Sequence, residues 1–201
     1  MPFIKTTRPE DADAAVAAMY ARQQAAWGYV PNYAKVFCHR PEVMARWGQL
    51  LAEIKRPMDR RTFELVTFVA AHDLRNTACT LAHGKALREF FTDEQIVAIA
   101  KGRFEGTLTD AESAMLRFAR QVAADASRVT SGQVQALKGF GYSDAEIFDI
   151  AAAAAGRAFF TKVLDALGVE AEFREPLAVG RPIDVRAPLR LPEPPPQAAA
   201  G

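Results

Sequence analysis

The chain predicts an all-α fold, and three observations carry that expectation. Alanine, leucine, glutamate and arginine dominate, and no run alternates apolar with polar residues as a half-buried strand would. Helix starts are signposted. Thr92-Asp93-Glu94-Gln95, Thr109-Asp110-Ala111-Glu112, Thr130-Ser131-Gly132-Gln133 and Ser143-Asp144-Ala145-Glu146 each place a hydroxyl at the cap and a carboxyl or amide three residues on. Helix stops are signposted as well, by Gly102, Gly139 and Gly168 after apolar-periodic segments.

The elements follow in order from these signals. A first helix is expected near 9–26. Trp27 to Phe37 reads as a turn with a short helix after Pro31, because proline is at home where a helix begins. Further helices are expected near 41–56, 60–75, 77–91, 93–101, 110–125, 131–139 and 144–167. In 60–75, Arg60, Glu64, Thr67, Ala71 and Arg75 make a polar stripe on a segment, FELVTFVAA, that is apolar on its other faces. The 77–91 helix opens at Asn76, a favoured N-cap residue. In 144–167 the alanine run 151–155 predicts close helix packing, within the subunit or across an oligomer interface. Arg157 and Lys162 follow it and read as a solvated face, with the mouth of an active site as the alternative.

FTDEQIVAIAKG (91–102) resembles YSDAEIFDIAAAAAG (142–156) at an offset of 51, which suggests a duplicated helical unit. At that offset Glu64, Cys79 and His83 fall opposite Met115, Thr130 and Val134. Only the first copy would then carry chemistry. From Gly180 the sequence becomes RPIDVRAPLRLPEPPPQAAAG, and proline denies helix its donors. Residues 181–201 therefore read as a proline-rich extended tail or an arm along a partner subunit, after one domain over 1–180.

Composition narrows the function. With 201 residues, half of them apolar, the chain can bury a core without disulfide or metal staples. A net charge of +1 offers no basic footprint for nucleic acid and no polybasic membrane anchor. Two cysteines make no secreted disulfide framework, no apolar run approaches a membrane span, and the first residues hold no signal core. The expected compartment is the cytoplasm. His39 and His72 show no metal-ligand spacing and no glycine-rich phosphate motif is present, so no metal and no cofactor is expected.

The reactive pair is Cys79 and His83. Behind an Asn76 cap, Cys79 falls in the first helical turn, where unsatisfied N–H groups and the helix dipole favour a thiolate. His83 lies one turn on, on the same face, within reach of the thiol proton. The bland alternative is that Cys79 packs as a small hydrophobe and His83 caps a neighbour. Glu64 is open in the same way: solvated beside Arg60, or turned inward to orient a histidine. Cys38 reads as a core residue, with a part as a second thiol as the alternative.

Together these residues resemble the signature of the AhpD-like family, which includes alkylhydroperoxidases and carboxymuconolactone decarboxylases. Its redox members carry a glutamate, eleven residues, a cysteine, two residues, a second cysteine, three residues and a histidine. Here Glu64 is followed after eleven residues by Asn76, then Cys79, then His83. GYVPNYAKVFCHRPEVM and GYSDAEIFDIAAAAAGRAFFTKVLDALGVE resemble the family's upstream segment and C-terminal helix, so the likeness spans roughly 25–170. The resemblance implies an all-helical, duplicated, oligomeric fold. It implies a peroxide-attacking thiol at Cys79, with His83 and Glu64 as its proton relay. Asn76 replaces the resolving cysteine, so the motif cannot close its own disulfide, and a small thiol or redox protein is expected as reductant. The resemblance leaves two rivals: a cofactor-free lyase or isomerase acting on a small organic acid through the histidine and carboxylate, and a non-catalytic helical oligomer.

Overall fold

The computed structural model describes residues 2–171, and within them the chain holds helices and turns and no β-strand. The all-α expectation holds; the expected tail over 181–201 lies outside the described residues. The helices are α1 (Ala14–Trp27), α2 (Asn32–Val36), α3 (Pro41–Lys55), α4 (Arg60–Asp73), α5 (Thr77–Leu87), α6 (Asp93–Ala100), α7 (Asp110–Asp125), α8 (Ser131–Gly139) and α9 (Asp144–Ala166). None of them is long and apolar enough to cross a membrane.

All four predicted capping boxes form, at Thr92, Thr109, Thr130 and Ser143. The helix expected over 9–26 is split. Pro9–Asp11 is a 3-10 turn, and α1 begins after Asp13, whose side chain accepts from the Val16 N–H at 2.9 Å. Gly139 is the last residue of α8 rather than its left-handed cap; that conformation falls at Gly141, φ +96°.

α4 is the central element and packs against α5, α6, α7 and α9. Every residue from Phe63 to His72 is buried, as a helix that is apolar on nearly all sides requires. Its Phe68, with Leu87, Ile96, Ile99, Met115, Leu116, Leu137 and Ile150 around it, forms the main core. Fully burying one such side chain is worth about 1.5–3 kcal/mol. A second cluster joins Met19, Tyr20, Phe37, Cys38 and Trp47 from the N-terminal elements to Cys79, Phe160 and Leu164.

Helix order repeats. α4-α5-α6 is followed by α7-α8-α9, and the caps of α6 and α9, Thr92 and Ser143, stand at the expected offset of 51. The caps of α5 and α8, Asn76 and Thr130, are instead 54 apart. The counterpart of Cys79 by helix position is therefore Gln133, not Thr130. The longer α7, with the 3-10 turn Ala126–Arg128 behind it, accounts for the slip.

The α4–α5 turn positions the chemistry. The expected helix to residue 75 stops at Asp73 because Arg75 adopts a left-handed conformation, φ +59°. The Arg75 N–H donates to the His72 carbonyl at 2.9 Å and the Asn76 N–H to the Ala71 carbonyl at 3.0 Å. This is a Schellman ending built without glycine, at a conformational cost on the order of 1 kcal/mol. It reverses the chain in two residues and delivers Asn76 directly as the cap of α5.

Candidate active site

Asn76 caps α5 as expected: its Oδ1 accepts from the Cys79 N–H at 2.8 Å. Cys79 is therefore in the first helical turn, and it is buried. The amide of Asn76 also donates to Asp165 Oδ1 at 2.7 Å, tying the start of α5 to the end of α9.

Glu64 points inward. It is buried and accepts a hydrogen bond from His83 Nδ1 at 2.6 Å, while Arg60 pairs with Glu89 instead. Thr67 completes the arrangement. Its hydroxyl donates to the Phe63 carbonyl at 2.7 Å and lies 3.2 Å from His83 Nδ1, as a second acceptor for that proton. With Nδ1–H committed to Glu64, the imidazole presents Nε2 as its basic nitrogen. Burial pushes His83 down to about 4, helped by the charge of Arg157 and opposed by Glu64. Burial pushes Glu64 up, but the hydrogen bond from His83 and the charges of Lys55 and Arg157 outweigh it and hold the carboxyl below its ordinary value. At neutral pH the pair is a neutral imidazole on a carboxylate.

The environment of the sulfur differs from the expectation in two ways. The polar partner of Cys79 Sγ is Arg157 Nη1 at 3.7 Å, rather than His83. Burial also pushes the thiol above its ordinary value; the charge and hydrogen bond of Arg157 pull it down, and Asp165 pushes it up again. Desolvation thus outweighs the pull of Arg157 at this buried position.

Arg157 is the residue that sequence reasoning misplaced. It is only 5% exposed, with its guanidinium carbon 5.7 Å from the Phe160 ring centroid. A signal was present. Ile147, Ile150, Ala154, Arg157, Thr161 and Leu164 recur at spacings of three and four and are all buried, so Arg157 sits in the apolar register of α9. Lys162 is exposed, as expected. Among the other candidates, Cys38 is buried and its sulfur accepts from the Thr7 N–H at 3.4 Å. His39 Nε2 lies 2.7 Å from the Lys5 carbonyl. His72 belongs to a separate buried group with Asp73 and Arg120.

Cys79, His83, Glu64 and Arg157 all line one cavity of about 540 Å³. Its apolar wall includes Trp27, Tyr33, Trp47, Phe63 and Phe160. Trp47 stacks on Phe160, 5.5 Å between centroids, and Tyr33 meets Phe160 edge-on at 5.4 Å. Such a volume and such walls suit a small organic molecule.

No protein-family model matches the chain, and no curated protein matches it. Solved structures do. An alkylhydroperoxidase AhpD core, an uncharacterized peroxidase-related protein from Ralstonia eutropha, superposes with a TM-score of 0.73 at 19% identity, over 85% of this chain and 92% of that one. This chain has the AhpD-like fold. A peroxidase-related protein from Silicibacter gives a TM-score of 0.68 at 18% identity, over 84% of this chain and 94% of that one. The debrominase Bmp8, as a cysteine-to-alanine variant in complex with 2,3,4-tribromopyrrole, gives 0.69 at 16% identity, over 85% and 91%. AhpD-like chains thus include proteins of more than one activity.

Proposed function

We propose that the protein is a thiol-dependent oxidoreductase that reduces a small organic substrate, a hydroperoxide in the first instance, with Cys79 as the attacking residue. The observation that carries this reading is the convergence of Cys79, Arg157 and the Glu64–His83 pair on a single cavity. His83, neutral and fixed by Glu64, takes the thiol proton through the substrate. Arg157 stabilises the thiolate, which attacks the terminal peroxide oxygen. The O–O bond breaks, Cys79 becomes a sulfenic acid, and the proton returns to the departing alkoxide to give an alcohol. An external thiol condenses with the sulfenic acid, releasing water and leaving a mixed disulfide. A second thiol then exchanges the disulfide and frees Cys79. The reductant is a small thiol or a redox protein, since Asn76 stands where a resolving thiol would.

The debrominase among the fold's members supports a small-molecule substrate more broadly than peroxide. The exposed Phe148 and Phe159 of α9 support a homo-oligomer. The deciding experiment is mass spectrometry of Cys79 after cumene hydroperoxide and a dimedone-type probe. Labelling of the wild type, lost in Cys79→Ser and slowed in His83→Gln, is the expected result; an unlabelled Cys79 in folded protein rejects the reading. A second reading, cofactor-free proton transfer on an organic acid by His83 and Glu64, is favoured by the neutral imidazole and the raised thiol. Turnover of a lactone or keto acid undiminished in Cys79→Ala would select it.

A further inference from the structure

The cavity carries more positive charge than the chemistry of a thiol requires. Lys55, Lys85, Arg88 and Arg157 line it against two carboxylates, Glu64 and Glu170, although the whole chain is nearly neutral at +1. Glu64 is engaged by His83 and Arg88 by Asp93. Lys55 stands with its ammonium 5.1 Å from the centroid of the Phe63 ring. Arg157 is the innermost cation. It is nine-tenths buried, and one end of its fork, Nη1, meets Cys79 Sγ. Its Nε is fully enclosed and has no hydrogen-bond partner among the described residues. That N–H is sealed even from water, so a ligand in the cavity meets Arg157 through the part of the guanidinium that lines it. An anionic oxygen is the group that answers a buried cation there, and a guanidinium matches a carboxylate geometrically.

We propose that the cavity selects aromatic monoanions, with the acidic oxygen of the ligand held by Arg157 and its ring packed between Trp47, Phe63 and Phe160. The proposal rests on the same site as the thiol reading but not on its chemistry. It names a specificity-determining role for Arg157 and excludes neutral aromatics as preferred ligands. The aromatic wall supplies affinity for the ring, and the cationic lining, with Arg157 innermost, supplies the discrimination between charged and uncharged ring bearers.

The chain's only two tryptophans, Trp27 and Trp47, both line the cavity, so ligand binding reads out as quenching of tryptophan emission. The probes are 4-nitrobenzoate and its neutral counterpart 4-nitrobenzyl alcohol. Wild-type protein is expected to bind the anion about tenfold or more tightly than the alcohol. Arg157→Gln is expected to erase that preference by weakening the anion while changing the alcohol less than about threefold. Arg157→Lys, which keeps the charge and loses the fork, is expected to fall between the two. Cys79→Ser is expected to keep the full preference, so failure of the thiol reading and failure of this one are read separately. Equal affinities in the wild type, no saturable quenching by the anion, or a preference that persists in folded Arg157→Gln overturns the proposal. If Arg157→Gln does not fold, the wild-type comparison and Arg157→Lys decide it.

Discussion

Acidification should destabilise this protein through His83 before most carboxylates titrate. In the folded chain the imidazole is held down to about 4, whereas its ordinary value is 6.5. Between those values the unfolded chain binds a proton that the folded chain refuses, so stability falls as pH falls through that window. At about pH 5 the unfolded imidazole is almost wholly protonated and the folded one hardly at all, which amounts to a loss of about 2 kcal/mol relative to neutral pH. Against a total stability of about 5–15 kcal/mol that is readily measured. The assay is urea denaturation at several pH values between about 7 and 5, in the wild type and in His83→Gln. Glutamine does not titrate and keeps a donor for Glu64, so groups away from this pair cancel in the difference. The wild-type curve should descend more steeply. Parallel curves would refute the account of His83 as a buried neutral base on Glu64.

Three further outcomes follow from the same geometry. Iodoacetamide alkylation of Cys79, followed by peptide mass spectrometry, should still be accelerating with pH at the ordinary thiol value of 9.0, because burial holds the sulfur above it; Arg157→Gln should push the profile higher, and a plateau near pH 7 would contradict both. Asn76→Ala removes the cap on the Cys79 N–H and the tie to Asp165. Its urea midpoint should report a loss of about 1–2 kcal/mol. Gly168→Ala would force a side chain into a left-handed residue, φ +66°, with its Cβ 2.6 Å from the Phe3 ring. Thermal unfolding should show about 1 kcal/mol or more of lost stability.

The sequence carried the local grammar better than the tertiary environment. Capping residues act through their own backbone neighbours, so Thr92, Thr109, Thr130 and Ser143 could be read directly and all form. The placement of Cys79 at the start of α5 was legible for the same reason. The inward turn of Glu64 was not decidable, because a polar stripe on α4 is compatible with solvent until its neighbours are known; α5 packs over that face and supplies His83. Arg157 was misread for the converse reason. A basic residue in an apolar register reads as exposed unless the partner that compensates it is visible, and its partners come from α5 and from its own Phe160. The thiol followed the same rule: the helix dipole is a local effect that sequence reveals, whereas desolvation depends on what surrounds the sulfur.

Asn76 does more than start α5. Asn76 uses its carbonyl to cap the backbone of Cys79 and its amide to hold Asp165, while Arg157, on the same helix as Asp165, reaches the sulfur itself. Both contacts pin α9 to the first turn of α5. Asn76 therefore helps set the distance between the guanidinium and the sulfur. In the proposed reaction the thiolate forms only as far as Arg157 and a bound substrate offset the cost of burying it. Introducing a dithiol by Asn76→Cys should for that reason fail to produce a fast disulfide exchanger. It removes the amide that anchors α9, loosens the Arg157 contact, and leaves Cys79 buried with less of the charge that lowers its pKa. Quenched-flow alkylation of Cys79 in that variant should be slower than in the wild type, and a faster rate would show that the clamp does not tune the sulfur.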